Sequence, residues 1–461
     1  MQDFPHSLRC SSCGRDYPVV DDVPSLMPEP EIPDDSCELD MTLMILARNE
    51  MENLRHSLGE ARRVLDDLGI RYEVLVVDGE SRDGTREVAA SLGARVHSQT
   101  RPGYGNAFRE GLEQVRGAFL LTLDADLSHD PNYIQVLWQR RHTAELLVGS
   151  RYVAGGEALM PLSRQFLSRV LNKTFGGLLS VPVADLSSGF RLYKSSVLRS
   201  VELQGRDFDI LIELLVKLFI NGYRVAELPM FYKPRGEGQS NAQLRHFATS
   251  YARALWRLWR ARNSLRASDY DSRAYHSLFP LQRYWQRERY AKILELLEGR
   301  TSGILDVGCG SSKIIQSLPG AVGVDCLARK LRYLRSIHPQ LVHADIFHLP
   351  FAAKTFETVI CSQVIDRIPD ADQALAQLVR VLKPGGHLIL GSPDYGTWTW
   401  KAIYPFYKRM IPDGNPGKGN PKLNREGLLA LLERHGLELL KETYVGGGEW
   451  IGLARQPTTR H

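Results

Sequence analysis

The sequence predicts two α/β domains in one polypeptide, and three observations predict it. Apolar strand-like runs alternate with helical periodicity from residue 41 to about residue 240, and the same alternation restarts near residue 300. In both stretches an acidic or glycine-rich turn follows a strand-like run, at the end of the strand where open parallel sheets bind ligands. At 461 residues the chain is also longer than one ordinary core supports.

In the first stretch, Thr42-Leu-Met-Ile-Leu46, Glu73-Val-Leu-Val-Val77 and Ala118-Phe-Leu-Leu-Thr-Leu123 are buried strands, with helices over 51–68 and 83–92. In the second, Gly303-Ile-Leu-Asp-Val307, Ala321-Val-Gly-Val324, Thr358-Val-Ile-Cys361 and His387-Leu-Ile-Leu390 play the same part. Each set predicts a doubly wound, parallel sheet with helices on both faces. Residues 241–300, rich in Arg and aromatics, read as helical, and residues 1–40 as a small module ending in a Pro-rich acidic linker. The expected organisation is a module over 1–40, an α/β domain over 41–240, a helical linker over 241–300 and a second α/β domain over 301–461.

With 43% apolar and 24% charged residues the composition is that of a globular protein, and a net charge of +5 is too modest to argue for nucleic acid. No run of about 18 apolar residues and no basic, then apolar, leader is seen. The six cysteines form no disulfide framework, so the expected location is the reducing cytoplasm. Cys10 and Cys13 have metal-like spacing, but structural zinc wants four ligands, and only Cys37 and His6 are at hand to complete the set. A β-module without zinc is the expectation.

Asp78-Gly-Glu-Ser-Arg-Asp83 follows one strand of the first domain and Asp124-Ala-Asp126 another. Carboxylates at strand ends suit a divalent cation that neutralises a nucleoside diphosphate, although acidic residues there also form turns and caps. In the second domain, Ile304-Leu-Asp306-Val-Gly308-Cys-Gly310 is a glycine turn that lets backbone approach a ligand closely, and Gly323-Val-Asp325 ends the next strand.

The first domain resembles family 2 glycosyltransferases of the GT-A fold, in particular the dolichyl- or polyprenyl-phosphate sugar synthases. The segments that carry the resemblance are Ala47-Arg-Asn-Glu50, Val76-Val-Asp-Gly-Glu-Ser-Arg-Asp83, Asp124-Ala-Asp126-Leu-Ser-His-Asp-Pro, Gly149-Ser-Arg151-Tyr, Asp185-Leu-Ser-Ser-Gly-Phe-Arg191 and Glu227 through Arg235 to Ser240. The resemblance implies inverting transfer from a nucleotide sugar to a polyprenyl-phosphate or other glycan acceptor. Ala47, Asn49, Glu50, Asp78 and Asp83 would line the nucleotide pocket, and Asp124 and Asp126 would bind Mg²⁺ or Mn²⁺. Arg151 and Arg235 would steer the anionic acceptor, and Asp185 would be the base available to a hydroxyl acceptor.

The second domain resembles class I S-adenosylmethionine-dependent methyltransferases through the glycine turn, Asp325, His343-Ala-Asp345-Ile-Phe and Arg380-Val-Leu-Lys-Pro-Gly-Gly386. That implies Asp306, Gly308 and Gly310 at the methionine part, Asp325 at the ribose, and Asp345 with Ile346 at the adenine. Ser312 replaces a third glycine, and Ile365-Asp366-Arg367 stands where Leu-Glu-His is common, so no general base is evident and an acidic acceptor fits. Leu8 to Pro24 resembles the short Trm112-type segment that precedes some methyltransferases.

Taken together, these features predict a bifunctional enzyme of glycoconjugate assembly. The departures leave two other readings: a second domain that binds S-adenosylmethionine without turnover, and a lipid- or protein-binding scaffold with decayed sites. The Arg- and Trp-bearing amphipathic segment 241–263 suits either the inner face of the cell membrane, as a peripheral contact, or packing within the protein.

Overall fold

A computed structural model describes residues 7–9, 16–27, 37–126, 128–233, 244–411 and 422–458. The chain forms two units, one of Pro33–Trp259 and one of Met1–Ile32 with Arg260–His461. The first is therefore inserted in the chain of the second.

The first unit is built on a seven-stranded sheet. Its strands are β1 Leu39–Ala47, β2 Tyr72–Asp78, β3 Arg95–Ser98, β4 Gly117–Asp124, β5 Leu146–Ser150, β6 Arg191–Lys194 and β7 Val225–Pro229, in the order β7-β5-β6-β4-β1-β2-β3. Met41, Leu43 and Ile45 of β1 and Leu121 and Leu123 of β4 are buried in one core with Leu54, Leu58 and Leu65 of helix α1 (Met51–Asp67). Near-continuous apolar runs mark strands covered on both faces.

The expectation of a purely parallel sheet needs correcting. Strand β6 runs antiparallel to both β4 and β5. Its first residue, Arg191, pairs with Thr122 near the end of β4, so the preceding segment 185–190 is delivered beside Asp124. The remaining helices of this unit that matter here are α2 (Leu162–Leu179), α3 (Asp209–Ile220) and the start of α4 (Leu244–Arg262).

Of segment 241–263, expected either at a membrane or packed within the protein, one described face packs in this unit, while Trp256 is exposed. Ala254 and Leu258 are buried, Tyr251 meets the Phe175 ring edge-on, and Arg257 reaches Asp209 (3.7 Å) and Glu213 (3.6 Å) of α3.

The second unit has strands β8 Ile304–Val307, β9 Val322–Asp325, β10 Leu341–His343, β11 Phe356–Ser362, β12 Leu382–Pro393, β13 Glu438–Val445 and β14 Glu449–Arg455, in the order β10-β9-β8-β11-β12-β14-β13. Here too one strand departs from parallel: β14 runs antiparallel to both β12 and β13. The cause is local. Only Gly446-Gly447-Gly448 connect β13 to β14, with Gly446 and Gly447 at positive φ, and so short a turn makes a hairpin rather than a crossover.

Helices α5 (Tyr270–Tyr275), α6 (Pro280–Leu297, with proline in its first turn) and α7 (Trp398–Met410) complete what positions the second site. The N-terminal strands Asp16–Val20 and Val23–Pro24 form a hairpin carried on the β10 edge. Ser25 bridges His343 in parallel, Leu26 N donates to His343 O (2.8 Å), and Arg332 and Arg335 hold Asp21. This covers an edge that would otherwise present unpaired backbone. His6, Cys10 and Cys13 lie outside the described residues.

Candidate active sites

In the first unit the loops after β1, β2 and β4 meet at one end of the sheet. Asn49, at φ +54°, donates its backbone N–H to Ser81 Oγ (2.9 Å), and its side-chain oxygen accepts from Arg82 N (2.9 Å). Glu50 N donates to Thr85 Oγ1 (3.0 Å). These bonds lock Ala47 to Glu50 against 81–85. Asp83, expected in the pocket, accepts from Met51 N and Thr85 N (both 3.1 Å). Its carboxylate joins the two loops, a supporting position rather than a free ligand-facing one.

Asp78 is fully buried at the end of β2. Its Oδ2 accepts from Ser81 N (3.1 Å) and lies 3.7 Å from Arg86 Nε, while Oδ1 is buried without a hydrogen-bond partner. A buried carboxylate oxygen left in this way fits a donor supplied by a ligand, such as a base N–H.

The Asp124 side chain is 38% exposed, and Asp126 is buried with Oδ1 accepting from Ser128 N (3.1 Å). Gly189 touches Asp124: a Cβ there would lie 2.9 Å from Oδ1 and 3.3 Å from Oδ2. Only a glycine fits without moving the carboxylate. His129 lies 3.7 Å from Asp124, stacked on Phe190, and its burial holds the imidazole below its usual pKa and so neutral. Among the described residues no group of three or more His, Cys, Asp or Glu converges as a complete metal site. The arrangement fits a cation held by two carboxylates with the remaining positions left to phosphate oxygens.

Arg151 and Asp185 meet in a bidentate pair, Nε to Oδ2 at 2.7 Å and Nη2 to Oδ1 at 2.8 Å, with Arg151 N also donating to Oδ2 (3.1 Å). Glu227 accepts from Ala184 N (2.8 Å) and Asp185 N (2.9 Å), fixing the segment. Burial alone would raise the Asp185 pKa, but the hydrogen bonds and charge of Arg151 bring it below the ordinary value of 3.8. Asp185, expected as the base available to a hydroxyl acceptor, is thus engaged by Arg151 and also accepts from Ser187 Oγ (3.2 Å). Arg235 lies outside the described residues. Sequence reasoning missed Tyr232, whose ring lies 5.4 Å from the Arg151 guanidinium, and Arg169, which lies 5.5 Å from the Tyr152 ring.

In the second unit, Gly308 (φ +71°) and Gly310 (φ +56°) shape the turn after β8, and a Cβ on Gly308 would collide with Val364 at 2.2 Å. Asp325 ends β9, with Oδ2 accepting from Gly310 N (2.9 Å) and Oδ1 from Leu327 N (2.8 Å). Asp306 is buried with Oδ2 unpartnered, and burial, reinforced by the charges of Asp325 and Asp271, pushes its pKa up to about 7. Asp345 caps the turn Ile346–His348 through Phe347 N (3.1 Å), and Ile346 is buried beside it. All six residues expected here thus stand at or beside the ends of β8, β9 and β10.

Asp271 of α5 was not anticipated. It accepts from Ser311 N (3.0 Å) and Lys330 Nζ (2.7 Å), and lies against Gly310. It sits in a helix of the predicted linker, where no motif marks it.

Both sites are of the kind built for nucleotide-type ligands at strand ends. Residues 42–201 match glycosyl transferase family 2, and residues 305–390 match a methyltransferase domain. The chain is 31% identical over 206 residues to the undecaprenyl-phosphate mannosyltransferase of Micrococcus luteus, covering 42% of this chain and 83% of that protein. It is 32% identical over 215 residues to the polyprenol monophosphomannose synthase of Mycolicibacterium smegmatis, covering 43% of this chain and 80% of that protein. A crystal structure of glucosyl-3-phosphoglycerate synthase from Mycobacterium tuberculosis aligns at a TM-score of 0.39 and 17% identity, covering 52% of this chain and 87% of that one.

The protein is therefore a two-domain transferase by class. More particularly, it belongs to glycosyl transferase family 2, with relatives among the polyprenyl-phosphate mannosyltransferases, and carries a methyltransferase domain, which implies S-adenosylmethionine as methyl donor.

Proposed function

We propose that the first domain, over 41–240, transfers a sugar with inversion from a nucleotide sugar to a polyprenyl phosphate, and that the second, over 301–461, transfers a methyl group from S-adenosylmethionine. The observation that carries the first half is the placement of Asp124, two residues from the buried Asp126, against Gly189, on the segment that also carries Asp185 of the Arg151–Asp185 pair. In this reading Asp78, Asn49 and Glu50 hold the nucleoside, and Asp124 and Asp126 hold Mg²⁺ or Mn²⁺. The cation, when bound, offsets the charge of the departing diphosphate. An acceptor phosphate is already an anion and attacks without a general base, which agrees with an Asp185 that is engaged elsewhere. Arg151 and Tyr232 then act as its nearest orienting groups.

A lipid-linked acceptor is supported by the surface beside them. An open groove of about 580 Å³ runs along Leu159, Met160 and Leu162 to Tyr232. On α2, Leu162 is 82% and Phe166 71% exposed, Leu167, Val170 and Leu178 are also exposed, and Arg164, Arg169 and Lys173 are interspersed. A helix with exposed apolar residues and adjacent cations suits the boundary of an anionic membrane. No described helix is long and apolar enough to cross one. The test is transfer of labelled sugar to a polyprenyl phosphate in liposomes, lost in Asp126→Ala and retained in Asp325→Ala.

In the second domain Asp325 anchors the ribose and Asp306 the methionine ammonium of the methyl donor, with Asp345 and Ile346 at the adenine. Calorimetry with S-adenosylmethionine tests this half independently of the first.

A further inference from the structure

Beyond the donor residues, the end of β11 and helix α7 enclose a second, aromatic region of the methyltransferase unit. Trp400 lies 5.9 Å from the Tyr395 ring, 6.1 Å from Tyr404 and 5.9 Å from Tyr407, centroid to centroid. Arg367, in the short turn Ile365–Arg367 after β11, donates from Nη2 to the Tyr407 hydroxyl (3.1 Å).

The cations around it are matched. Lys330 lies 2.7 Å from Asp271, and Arg289 holds Glu449 at 2.6 and 2.7 Å. Arg367 alone of the three has no carboxylate oxygen within 4.0 Å among the described residues. Its neighbour Asp366 is buried with Oδ1 unpartnered, and burial pushes its pKa up while the Arg367 charge pulls it down. Ser362 Oγ, Gln363 Nε2 and Trp400 Nε1, from the same strand end and the same wall, are also buried without partners. Buried polar atoms left in this way mark the place of an absent group.

We propose that this region takes the methyl acceptor, and that the accepting group is a carboxylate on a ring-bearing molecule, bound by Arg367 and Tyr407. The proposal rests on the methyltransferase reading of this domain. Planar guanidinium recognition suits a carboxylate, and the aromatic walls suit a sugar or aromatic ring. The chemistry is balanced without a base. A carboxylate oxygen lone pair forms the new O–C bond to the methyl carbon, the S–C bond breaks, and its electron pair returns to sulfur. The anion becomes a neutral ester, the sulfonium a neutral thioether, and no proton moves. Arg367 stays protonated at working pH, so it orients the carboxylate and takes no proton.

The test uses the full chain saturated with S-adenosylhomocysteine and ligand-observed NMR titration of two matched pairs, benzoate with benzyl alcohol and glucuronate with glucose. At least one carboxylate should bind in preference to its neutral counterpart. Arg367→Gln should weaken that binding at least tenfold, Arg367→Lys should recover part of it, and Tyr407→Phe should weaken it with the fold intact by thermal melting. Label from methyl-tritiated S-adenosylmethionine carried by the bound acid should be released as methanol by mild alkali, as a methyl ester requires.

A carboxylate could also come from the methyl donor itself, so the affinities of S-adenosylmethionine and its decarboxylated form are compared in wild type and Arg367→Gln. Loss of that preference in the variant would assign Arg367 to the donor and overturn the proposal. Donor binding with no carboxylate preference, or alkali-stable label, would also overturn it and leave the methyltransferase reading standing. Absence of donor binding would remove that reading itself.

Discussion

Arg151 and Asp185 hold each other through two parallel hydrogen bonds of 2.7 and 2.8 Å, with Asp185 fully buried and Arg151 nearly so. Removing one member leaves the other charge buried and unpaired. Asp185→Ala should therefore cost about 3–5 kcal/mol of stability, read by urea unfolding of the full chain. The pH sense follows from a folded-state pKa held below 3.8: the stabilisation is present above that value and is lost as pH falls through the lower, folded one. In Asp185→Asn this acid-dependent component should be missing.

Gly189 supplies a sharper probe of the metal site than removal of an acid. A Cβ 2.9 Å from Asp124 Oδ1 displaces the carboxylate without adding or removing charge. Gly189→Ala should lower Mn²⁺ affinity at least tenfold in the presence of nucleoside diphosphate, with melting temperature little changed. Equal Mn²⁺ affinity in wild type and variant would argue against Asp124 as a ligand.

Much of this was legible in the sequence because strand ends are marked locally. Asp78, Asp124 and Asp325 each close an apolar run that reads as a buried strand, and Asp306 sits one residue before the end of another. The contacts that shape the sites were not legible in the same way. Gly189 meets Asp124, 65 positions earlier, only because β6 inserts antiparallel between β4 and β5, and no local pattern records the polarity of an inserted strand. Leu162, Phe166 and Val170 recur at i, i+4 and i+8, the spacing of a core-facing helix, so the sequence does not reveal that they are exposed. The described part of segment 241–263 carries the same kind of pattern, and there Ala254 and Leu258 are buried while Trp256 is exposed. Asp271 has no motif around it, and its role emerges only when α5 meets the glycine turn.

Asp306 predicts a pH dependence of donor binding. Its folded pKa is raised to about 7, so the unliganded domain keeps a proton there between about pH 4 and 7 and loses stability as pH rises across that window. A donor ammonium favours the ionised form. Affinity for S-adenosylmethionine should rise between pH 6 and 8 with release of up to one proton, measured by calorimetry in buffers of different ionisation enthalpy. Asp306→Asn should flatten the profile.

The exposed row on α2 predicts membrane contact that depends on both apolar area and charge. Co-sedimentation with liposomes containing anionic lipid should fall with added salt, because the attraction of Arg164, Arg169 and Lys173 to the surface is screened. Leu162→Asp with Phe166→Asp should abolish it, whereas Trp256→Ala on α4 should have a smaller effect.

The most direct test of the account is a single reconstitution of full-length protein with liposomal polyprenyl phosphate, Mg²⁺ or Mn²⁺ and a panel of radiolabelled GDP- and UDP-sugars. One donor should label the lipid fraction, EDTA or Asp126→Ala should abolish the label, and Asp325→Ala should leave it unchanged while weakening S-adenosylmethionine binding about tenfold or more. No lipid label from any donor, or full label from Asp126→Ala in EDTA, would contradict the account.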